Sequence, residues 1–407
     1  MSKYDNAGLA MIPSGYKASK VYSVIPNTAD GDFDFSRDTT ATRVNKDGLI
    51  ESVASNVPRL DYPLIEGVVQ DCPALLLEPA RTNLIQYSED FTNADWTKFN
   101  TTVTADQEIS PDGTNTAYEV ESTDASHLLY VTSSVSQSTK YIFSFFFKEG
   151  TINDTKIAFY DDTANSFILQ DADKEVIDYP NGWKRFIAEV TTPSGCTSLY
   201  SYIDRSSEVG SFYTWGAQLE EGSYPTSYIP TSGSAVTRAA ETCNGAGTSD
   251  TFNDSEGVLF AEISALTKDG GESRRITISD GSTNNRVSIE LDEDEDLLKL
   301  FQSGNGTLSQ LTANLDVSET FKILASYNSN RLKLYINGFL VSQDLSIVLP
   351  IGLNNLSFDS GTSSSEFYGN TKQLMTFNKA LTDLELENLT SWDSFLEMAQ
   401  GQLYKTY

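Results

Sequence analysis

The sequence contains one run of acidic residues dense enough to suggest catalysis, Glu290-Leu291-Asp292-Glu293-Asp294-Glu295. Paired carboxylates can cleave a glycosidic bond, because one attacks or activates water while the other protonates the leaving group. If this run were a strand, however, Glu293 and Asp294 would place charge towards a core. A turn between the apolar stretches 287–291 and 297–300 explains the run better, so we predict no catalytic residues here.

The same run could hold a metal ion, since calcium prefers clustered carboxylate oxygens. An EF-hand loop needs Gly at its sixth position and Glu at its twelfth, and the residues that follow Asp292 do not supply this pattern. A loose structural Ca²⁺ site at the surface stays open as an alternative. We otherwise expect no cofactor.

His127 is the only histidine, so a Ser-His-Asp or Cys-His site would have to use it. It precedes Leu128-Leu129-Tyr130 at the start of a predicted strand, which favours a structural role. Cys72, Cys196 and Cys243 are too widely spaced for a disulfide framework, and with one histidine they predict no zinc site. No phosphate-binding or dinucleotide-binding fingerprint occurs. We therefore predict a protein without enzymatic activity.

Aromatic residues are abundant, with 20 Tyr and 21 Phe, and some of them could form a carbohydrate-binding surface. Such a surface stacks aromatic planes on sugar rings and surrounds them with polar groups that bind hydroxyls. The candidates are Trp183, Tyr200, Tyr202 and Tyr213, with Asp204 and Arg205 as polar partners, and farther along the chain Tyr335 and Tyr368. Each aromatic candidate could instead belong to a core, because β-sandwiches bury aromatic side chains heavily.

Period-two alternation is the dominant pattern, and it predicts an all-β chain. Tyr141, Phe143, Phe145 and Phe147 would line one face of a strand, and clusters of Pro, Asn, Asp and Gly separate such runs. Two blocks of this kind predict two tandem β-sandwich jelly rolls. The predicted divisions are an irregular N-terminal arm (1–82), a first sandwich (83–230), a linker rich in Ser, Thr, Gly and Ala (231–254), a second sandwich (255–392) and a C-terminal tail (393–407). The arm lacks a core of its own, so we expect it to pack on the next domain or on a neighbouring subunit.

Two local signals in the second block are sharper. Asn337-Gly338 between apolar runs predicts a type I′ hairpin, because both residues tolerate positive φ. Thr382-Asp383-Leu384-Glu385 is a capping box, and it predicts a short C-terminal helix.

The net charge is −29, from 57 acidic and 28 basic residues. A field of this sign repels phosphate backbones and anionic lipids, so nucleic acid and membrane surfaces are not expected partners. The N-terminus lacks the apolar core of a signal peptide, and no window approaches a membrane span. These features predict a protein that is made in the cytoplasm.

Several segments resemble a known family. Residues 36–51, 56–62 and 75–84 resemble segments that recur near the start of phage tail-fibre and appendage proteins, where they precede a jelly roll like a carbohydrate-binding module. Residues 215–220 and 224–230 look like the closing strand and exit of that module. The stretches 332–341, 368–370 and 375–382 are similar to concanavalin A-like sandwiches of the laminin-G type. The acidic run is similar to the catalytic strand of concanavalin A-like glycosidases, except that Glu293 and Asp294 replace apolar residues.

This resemblance implies a structural protein of a phage virion that presents lectin-like sandwiches for adhesion to host-surface glycans. It also implies contacts with other virion proteins and a homo-oligomer, with a trimer favoured. Two alternatives stay open. One is a virion-associated polysaccharide hydrolase or lyase, which would use Glu290, Asp292 and Glu295. The other is a capsid or tail decoration protein without a ligand.

Overall fold

The computed structural model describes residues 6–266, 273–292, 296–329 and 331–394. Within these ranges the chain forms antiparallel β-strands, and the α-helix that they contain is 8 residues long. The predicted all-β fold class is therefore confirmed. No helix in the described ranges is both long enough and apolar enough to span a membrane.

The N-terminal arm consists of short strands joined by turns. Their bounds are β1 (Leu9–Met11), β2 (Tyr16–Lys17), β3 (Lys20–Val21), β4 (Phe33–Ser36), β5 (Ala41–Val44), β6 (Ile50–Val53), β7 (Arg59–Asp61), β8 (Leu64–Ile65), β9 (Val68–Val69), β10 (Ala74–Leu77) and β11 (Arg81–Asn83). The pairs β5–β6 and β8–β9 form small two-stranded sheets. The other arm strands pair with later parts of the chain or, as with β2–β3–β4, with one another.

The first sandwich has two sheets, built from longer strands. Their bounds are β12 (Trp96–Phe99), β13 (Thr101–Glu108), β14 (Ala117–Ser122), β15 (Leu128–Ser134), β16 (Lys140–Glu149), β17 (Ala158–Asp161), β18 (Ser166–Leu169), β19 (Glu175–Asp178), β20 (Trp183–Thr191), β21 (Ser198–Asp204) and β22 (Gly210–Glu221). One sheet has five strands in the order β12-β15-β21-β17-β18. The other has six strands in the order β13-β14-β22-β16-β20-β19.

The alternation along β16 places its aromatic residues in the core, as the sequence predicts. Phe143, Phe145 and Phe147 are fully buried between the two sheets. The opposite face of the same strand is buried too, because Phe146 packs with Trp183 in a second, smaller core that includes Ile50 from the arm. A sheet that would otherwise face water is thus covered by other parts of its own chain.

The segment predicted as a linker lies along the arm instead of running free. Its strands are β23 (Val236–Arg238) and β24 (Thr242–Asn244), which pair with β11 and β4 respectively. The small polar residues suggest a flexible connection from composition alone. Arg238 and Glu241 are nevertheless almost completely buried, and they anchor the segment.

The second sandwich follows, and its strands form two further sheets. Their bounds are β25 (Glu256–Ala265), β26 (Ser273–Ser279), β27 (Arg286–Asp292), β28 (Leu297–Gly304), β29 (Thr307–Asn314), β30 (Phe321–Asn328), β31 (Arg331–Ile336), β32 (Phe339–Asp344), β33 (Asn355–Ser357) and β34 (Gly369–Phe377), with helix α1 (Asp383–Thr390) after them. The five-stranded sheet has the order β29-β28-β27-β26-β33. The eight-stranded sheet has the order β32-β31-β30-β25-β34-β10-β7, and β1 also pairs with β34.

The arm packs on this second sandwich and completes it. Strands β1 and β10 both pair with β34, and β7 extends the sheet beyond β10. Leu9 and Leu75 share one buried cluster with Leu259 and Ile323 of the sandwich itself. The arm was expected to pack on the next domain or on a neighbouring subunit. It contributes Ile50 to the smaller core of the next domain, but Leu9 and Leu75 pack on the second sandwich instead.

Both local predictions in this half are confirmed. Asn337 and Gly338 join β31 to β32, and both have positive φ (48° and 88°). Thr382 caps α1 reciprocally with Glu385, as the capping box requires.

Five charged side chains form a buried ion cluster where the arm, the first sandwich and the 231–254 segment meet. The members are Arg37, Arg59, Glu78, Arg238 and Glu241, whose side chains are at most 3% exposed. Glu241 accepts hydrogen bonds from Arg37 Nη1 (2.6 Å) and Arg59 Nε (2.9 Å). Glu78 lies 2.7 Å from Arg59 Nη1 and 2.9 Å from Arg238 Nη1.

The surroundings satisfy the remaining polar atoms of Glu78. Its carboxylate accepts hydrogen bonds from the backbone N–H (2.8 Å) and the hydroxyl (2.7 Å) of Ser227. Burial alone would raise the pKa of Glu78, but the charges of Arg238 and Arg59 outweigh it and lower that pKa to about 2. The carboxylate is therefore ionised inside the protein at neutral pH, and removing one partner would leave an uncompensated buried charge.

Candidate functional site

Aromatic side chains from four neighbouring strands meet on the outer side of the five-stranded sheet of the first sandwich. Alternation along these strands turns residues such as Leu129 and Ile203 into the core. The residues between them therefore point outward. We call the resulting surface the aromatic face; its members are Tyr130 on β15, Tyr160 on β17, Phe167 on β18, and Tyr200 and Tyr202 on β21.

The rings of the aromatic face form one contiguous surface. Tyr200 stacks on Tyr130, with ring centroids 4.6 Å apart and planes 23° apart, and on Tyr160, at 5.5 Å and 22°. Tyr202 lies 4.7 Å from Tyr130, and Phe167 meets Tyr160 edge-on at 4.9 Å. Tyr202 is buried and the other four rings are partly exposed. Tyr200 thus lies between Tyr130 and Tyr160 at the centre of a continuous aromatic patch.

Polar groups border these rings. The Tyr200 hydroxyl donates to Asp162 Oδ1 (2.5 Å), and Ser198 Oγ donates to Asp162 Oδ2 (3.0 Å). The hydrogen bond to Asp162 raises the pKa of Tyr200 to about 12, and burial raises the pKa of Tyr202 to about 12. Both phenols stay protonated at neutral pH, so the border offers neutral hydroxyls as well as a carboxylate.

At one end the aromatic face adjoins a recess of about 580 Å³. Arg205 stands between the two, since its guanidinium lies 4.2 Å from the centroid of Phe167 and also lines the recess. Phe99, His127 and Lys156 contribute to the other walls.

Beneath the recess, His127 is held by both ring nitrogens. Nε2 lies 2.8 Å from Asp204 Oδ2, and Nδ1 lies 2.8 Å from the carbonyl oxygen of Asp124. The hydrogen bond with Asp204 raises the pKa of His127 against the opposing effect of burial. The ring nitrogen that lies nearest to Ser206 Oγ is again Nε2, at 3.5 Å. A catalytic triad needs the serine and the aspartate on opposite nitrogens, so these three residues do not form a Ser-His-Asp triad.

The structure brings together only part of the predicted binding set. Tyr200, Tyr202 and Arg205 lie at the aromatic face, with Asp204 buried directly below. The other four candidates lie elsewhere, in or against cores: Trp183, Tyr213, Tyr335 and Tyr368.

Burial explains the placement of three of these residues, and Tyr213 is partly exposed. Trp183 is 1% exposed, and its Nε1 donates to the carbonyl oxygen of Ile109. Tyr213 packs against the same small core as Trp183. Tyr335 is 1% exposed and packs with Leu386 of α1, while Tyr368 lies under the guanidinium of Arg274 at 4.8 Å. Trp183, Tyr335 and Tyr368 therefore do not offer an exposed ring on which a sugar could stack.

Sequence reasoning missed Tyr130, Tyr160 and Phe167. Tyr130 and Tyr160 each follow a buried residue in an alternating stretch, so their outward direction was readable. What the sequence does not give is the strand order that sets Tyr202 opposite Tyr130 and Tyr200 opposite Tyr160. These cross-strand pairs create the surface.

The corresponding five-stranded sheet of the second sandwich carries charged side chains, and the guanidinium of Arg275 lies 5.2 Å from the centroid of the Phe301 ring. Glu290, which is 2% exposed, bonds Arg275 and accepts from Ser273 Oγ at 3.0 Å. Asp292 pairs with Lys299 across the β27–β28 hairpin. The carboxylates that the hydrolase alternative would use, Glu290 and Asp292, are therefore held in ion pairs with these cations. Glu295, the third candidate, lies outside the described residues.

Across the described ranges, no three His, Cys, Asp or Glu side chains gather as they would around a metal ion. The acidic run that suggested calcium is described only as far as Asp292 and again from residue 296.

Comparison with known proteins gives similarity of fold only. No protein-family model matches the chain, and no curated protein matches it. Part of the chain is similar to the IT-sialidase CBM40 of Ruminococcus gnavus in complex with α2,3-sialyllactose, at 13% identity over 36% of this chain and 94% of that chain, with a TM-score of 0.31. A heptameric SAP-like pentraxin from Limulus polyphemus is 11% identical over 34% of this chain and 71% of that chain, with a TM-score of 0.26. The enzymatically active domain of tailspike protein 4 from bacteriophage CBA120 is 13% identical over 34% of this chain and 21% of that chain, with a TM-score of 0.24.

Proposed function

We propose that this protein binds glycans through the aromatic face and that it does so as an appendage of a phage virion. The observation that carries the proposal is the unbroken set of rings from Phe167 through Tyr160 and Tyr200 to Tyr130. Rings on an outer sheet face cost stability when water must solvate them, unless something else covers them. A sugar with one apolar face and a hydroxyl edge fits both the rings and their polar border.

The surrounding chemistry supports a carbohydrate better than an anionic polymer. Asp162 and the Tyr200 hydroxyl can bind sugar hydroxyls beside the rings. The overall charge of −29 disfavours nucleic acid at this surface.

Glycan binding is tested by removing the central ring. In Tyr200→Ala the two stacked contacts disappear, and we expect affinity for the best glycan on an array to fall about tenfold or more. Tyr62→Ala, which removes a partly exposed tyrosine of the arm, serves as the matched control. Absence of any glycan ligand for the wild-type chain, or equal loss in both variants, would refute the proposal.

We further propose binding without cleavage. Glu290 and Asp292 are held by Arg275 and Lys299, so neither carboxylate is poised to attack or protonate a glycosidic bond. Incubation with bacterial capsular polysaccharides should release no new reducing ends. Sustained release that disappears in Glu290→Gln would favour the hydrolase.

The virion role is supported by residues 36–51, 56–62 and 75–84, whose likeness to phage tail-fibre and appendage proteins was described above. Assembly would take place in the cytoplasm of the host. Mass spectrometry of particles purified away from free protein should find the chain in stoichiometric amounts, and its loss on purification would contradict this part of the proposal.

A second candidate function is structural assembly, and strand β32 favours it. This strand ends the eight-stranded sheet, and within the described ranges it pairs only with β31. Phe339 is 73% exposed, and Leu340 and Val341 are exposed beside it. Residues 339–343 carry no charge in a strongly acidic chain, so two copies can approach here without opposing carboxylates.

We propose that β32 pairs with β32 of a second copy, which gives a two-fold dimer. Sedimentation velocity should show dimers whose population rises with salt, because salt screens the repulsion between acidic copies. Leu340→Lys should give monomers. A wild-type monomer would contradict the pairing, and a trimer that persists in Leu340→Lys would favour the assembly implied by the resemblance.

A further inference from the structure

We propose that the recess beside the aromatic face binds the anionic group of an acidic sugar, with Arg205 as the cation that recognises it. This inference rests on the proposed glycan binding and adds the class of sugar. In the described part of the chain, the charged groups that line the recess form ion pairs, except for Arg205.

Two of the three basic groups around the recess are already paired. Lys156 Nζ lies 2.9 Å from Asp171 Oδ2, and His127 lies against the carboxylate of Asp204. Arg205, in contrast, has no carboxylate within ion-pair distance anywhere in the described ranges. A guanidinium that keeps its charge and its hydrogen-bond donors available suits a carboxylate or a sulfate ester, since it offers a planar fork.

The backbone around Arg205 is fixed before any ligand arrives. The Arg205 backbone N–H donates to the carbonyl oxygen of Lys156 at 3.0 Å. Asp204 Oδ1 accepts from the backbone N–H of Ser206 at 2.8 Å and from that of Lys156 at 3.3 Å. The Phe167 ring, 4.2 Å from the guanidinium, supports the side chain from below. Such prior ordering lowers the entropic cost of binding.

The recess also has what a sugar ring needs. Phe99 forms one wall and is 53% exposed, so it offers a free aromatic plane. Gln170 and Ser207 supply polar groups to the other walls. A volume of about 580 Å³ is within the usual range of small-molecule sites. One residue of a chain bound at the aromatic face could therefore turn into the recess and place its anionic group at Arg205.

The test compares sugars that differ only in charge. Calorimetry with the full chain would use an oligogalacturonide and its methyl ester, and a carrageenan oligosaccharide and its desulfated form. We expect the charged member of at least one pair to bind roughly 10- to 100-fold more tightly, with the preference weakened by salt. The first pair reports on carboxylate, the second on sulfate.

The variants assign the preference to Arg205. Arg205→Gln should reduce the affinity for the charged sugar to that of its neutral partner and leave the neutral partner's affinity unchanged. Arg205→Lys should retain part of the preference, because it keeps the charge without the planar fork. Arg331→Gln, an exposed arginine on the second sandwich, is the matched control.

The outcomes separate the two proposals. If the neutral sugars bind as well as the charged ones, or if Arg205→Gln leaves the preference intact, the acidic-sugar inference is overturned while glycan binding stands. If no sugar in the set or on the array binds the wild-type chain, Tyr200→Ala has no affinity to lose. The proposal of glycan binding is then wrong, and this inference is wrong with it.

Discussion

The buried ion cluster and the aromatic face are built in opposite ways. The cluster joins residues as far apart as Arg37 and Glu241, and it is closed to water. The aromatic face lies within 130–202 of a single sandwich and is open to water on one side. One region holds parts of the molecule together, and the other is available to a ligand.

This difference shows which part of the molecule is built by the segments that resemble phage appendage proteins. Arg37, Arg59 and Glu78 each lie in one of the three segments that resemble phage appendage proteins. Their charged side chains meet inside the protein, so these recognisable segments encode the docking of the arm. The strands of the aromatic face carry no comparable motif. The most recognisable residues are therefore structural, while the surface proposed to bind ligand depends on strand pairing.

The strongest test of this contrast is Glu241→Ala, which leaves Arg37 and Arg59 buried without their shared carboxylate. We expect the free energy of unfolding to fall by about 3–5 kcal/mol. Chemical denaturation followed by tryptophan fluorescence measures this. Below the unfolding transition, glycan affinity should be unchanged.

The control is Glu51→Ala, which removes the partly exposed ion pair with Arg43 on the same arm. Its expected cost is about 0–1 kcal/mol. If the two substitutions lowered the free energy of unfolding equally, burial would not make the cluster more stabilising than an exposed ion pair. Loss of glycan affinity in folded Glu241→Ala would mean that the two regions are coupled.

Acid should weaken the buried ion cluster. The pKa of Glu78 is lowered to about 2 in the folded protein, below its value of about 4.3 in an unfolded chain. Its contribution to stability is therefore present above about pH 4.5 and is lost as the pH falls towards 2. The melting-temperature difference between wild type and Glu78→Gln should narrow over that interval. A difference that stays constant from pH 7 to pH 2.5 would contradict the assignment.

The smallest expected effect belongs to Tyr160→Phe, which keeps the ring and removes only the hydroxyl bonded to Asn165. Glycan affinity should fall roughly threefold or less, because the stacking plane remains. A loss as large as that of Tyr200→Ala would show that hydroxyls, and not ring planes, carry the binding.

Local features of the fold could be predicted from sequence. Asn337-Gly338 and the Thr382–Glu385 box fix their own geometry through residues at most four positions apart, and both were predicted correctly. The alternation along β16 likewise identified the buried Phe143, Phe145 and Phe147. At the candidate site, Tyr200, Tyr202 and Arg205 were predicted from their types, and the structure places them next to one another, while their role in binding stays a prediction.

The other features of the fold and of the candidate site depend on contacts between residues that are far apart in the sequence. The side chains from Ile142 to Phe146 alternate between the two faces of the strand as predicted. No residue near them in the sequence, however, shows that the arm and residues 224–231 cover Phe146. Arg238 and Glu241 look like ordinary polar residues of a linker until Arg59 and Glu78 are placed beside them. Trp183, Tyr335 and Tyr368 were misplaced for the same reason, because their burial comes from segments far along the chain.

The pairing of β1 with β34 has a consequence for synthesis. Leu9 lies opposite Thr376, so β1 cannot pair with β34 until the chain has been synthesised as far as Thr376. At about 5–20 residues per second, this takes roughly 20–70 s. During that time β10 can already pair with β7, but β1 has no sheet to join, so its apolar residues stay exposed to contacts with other chains.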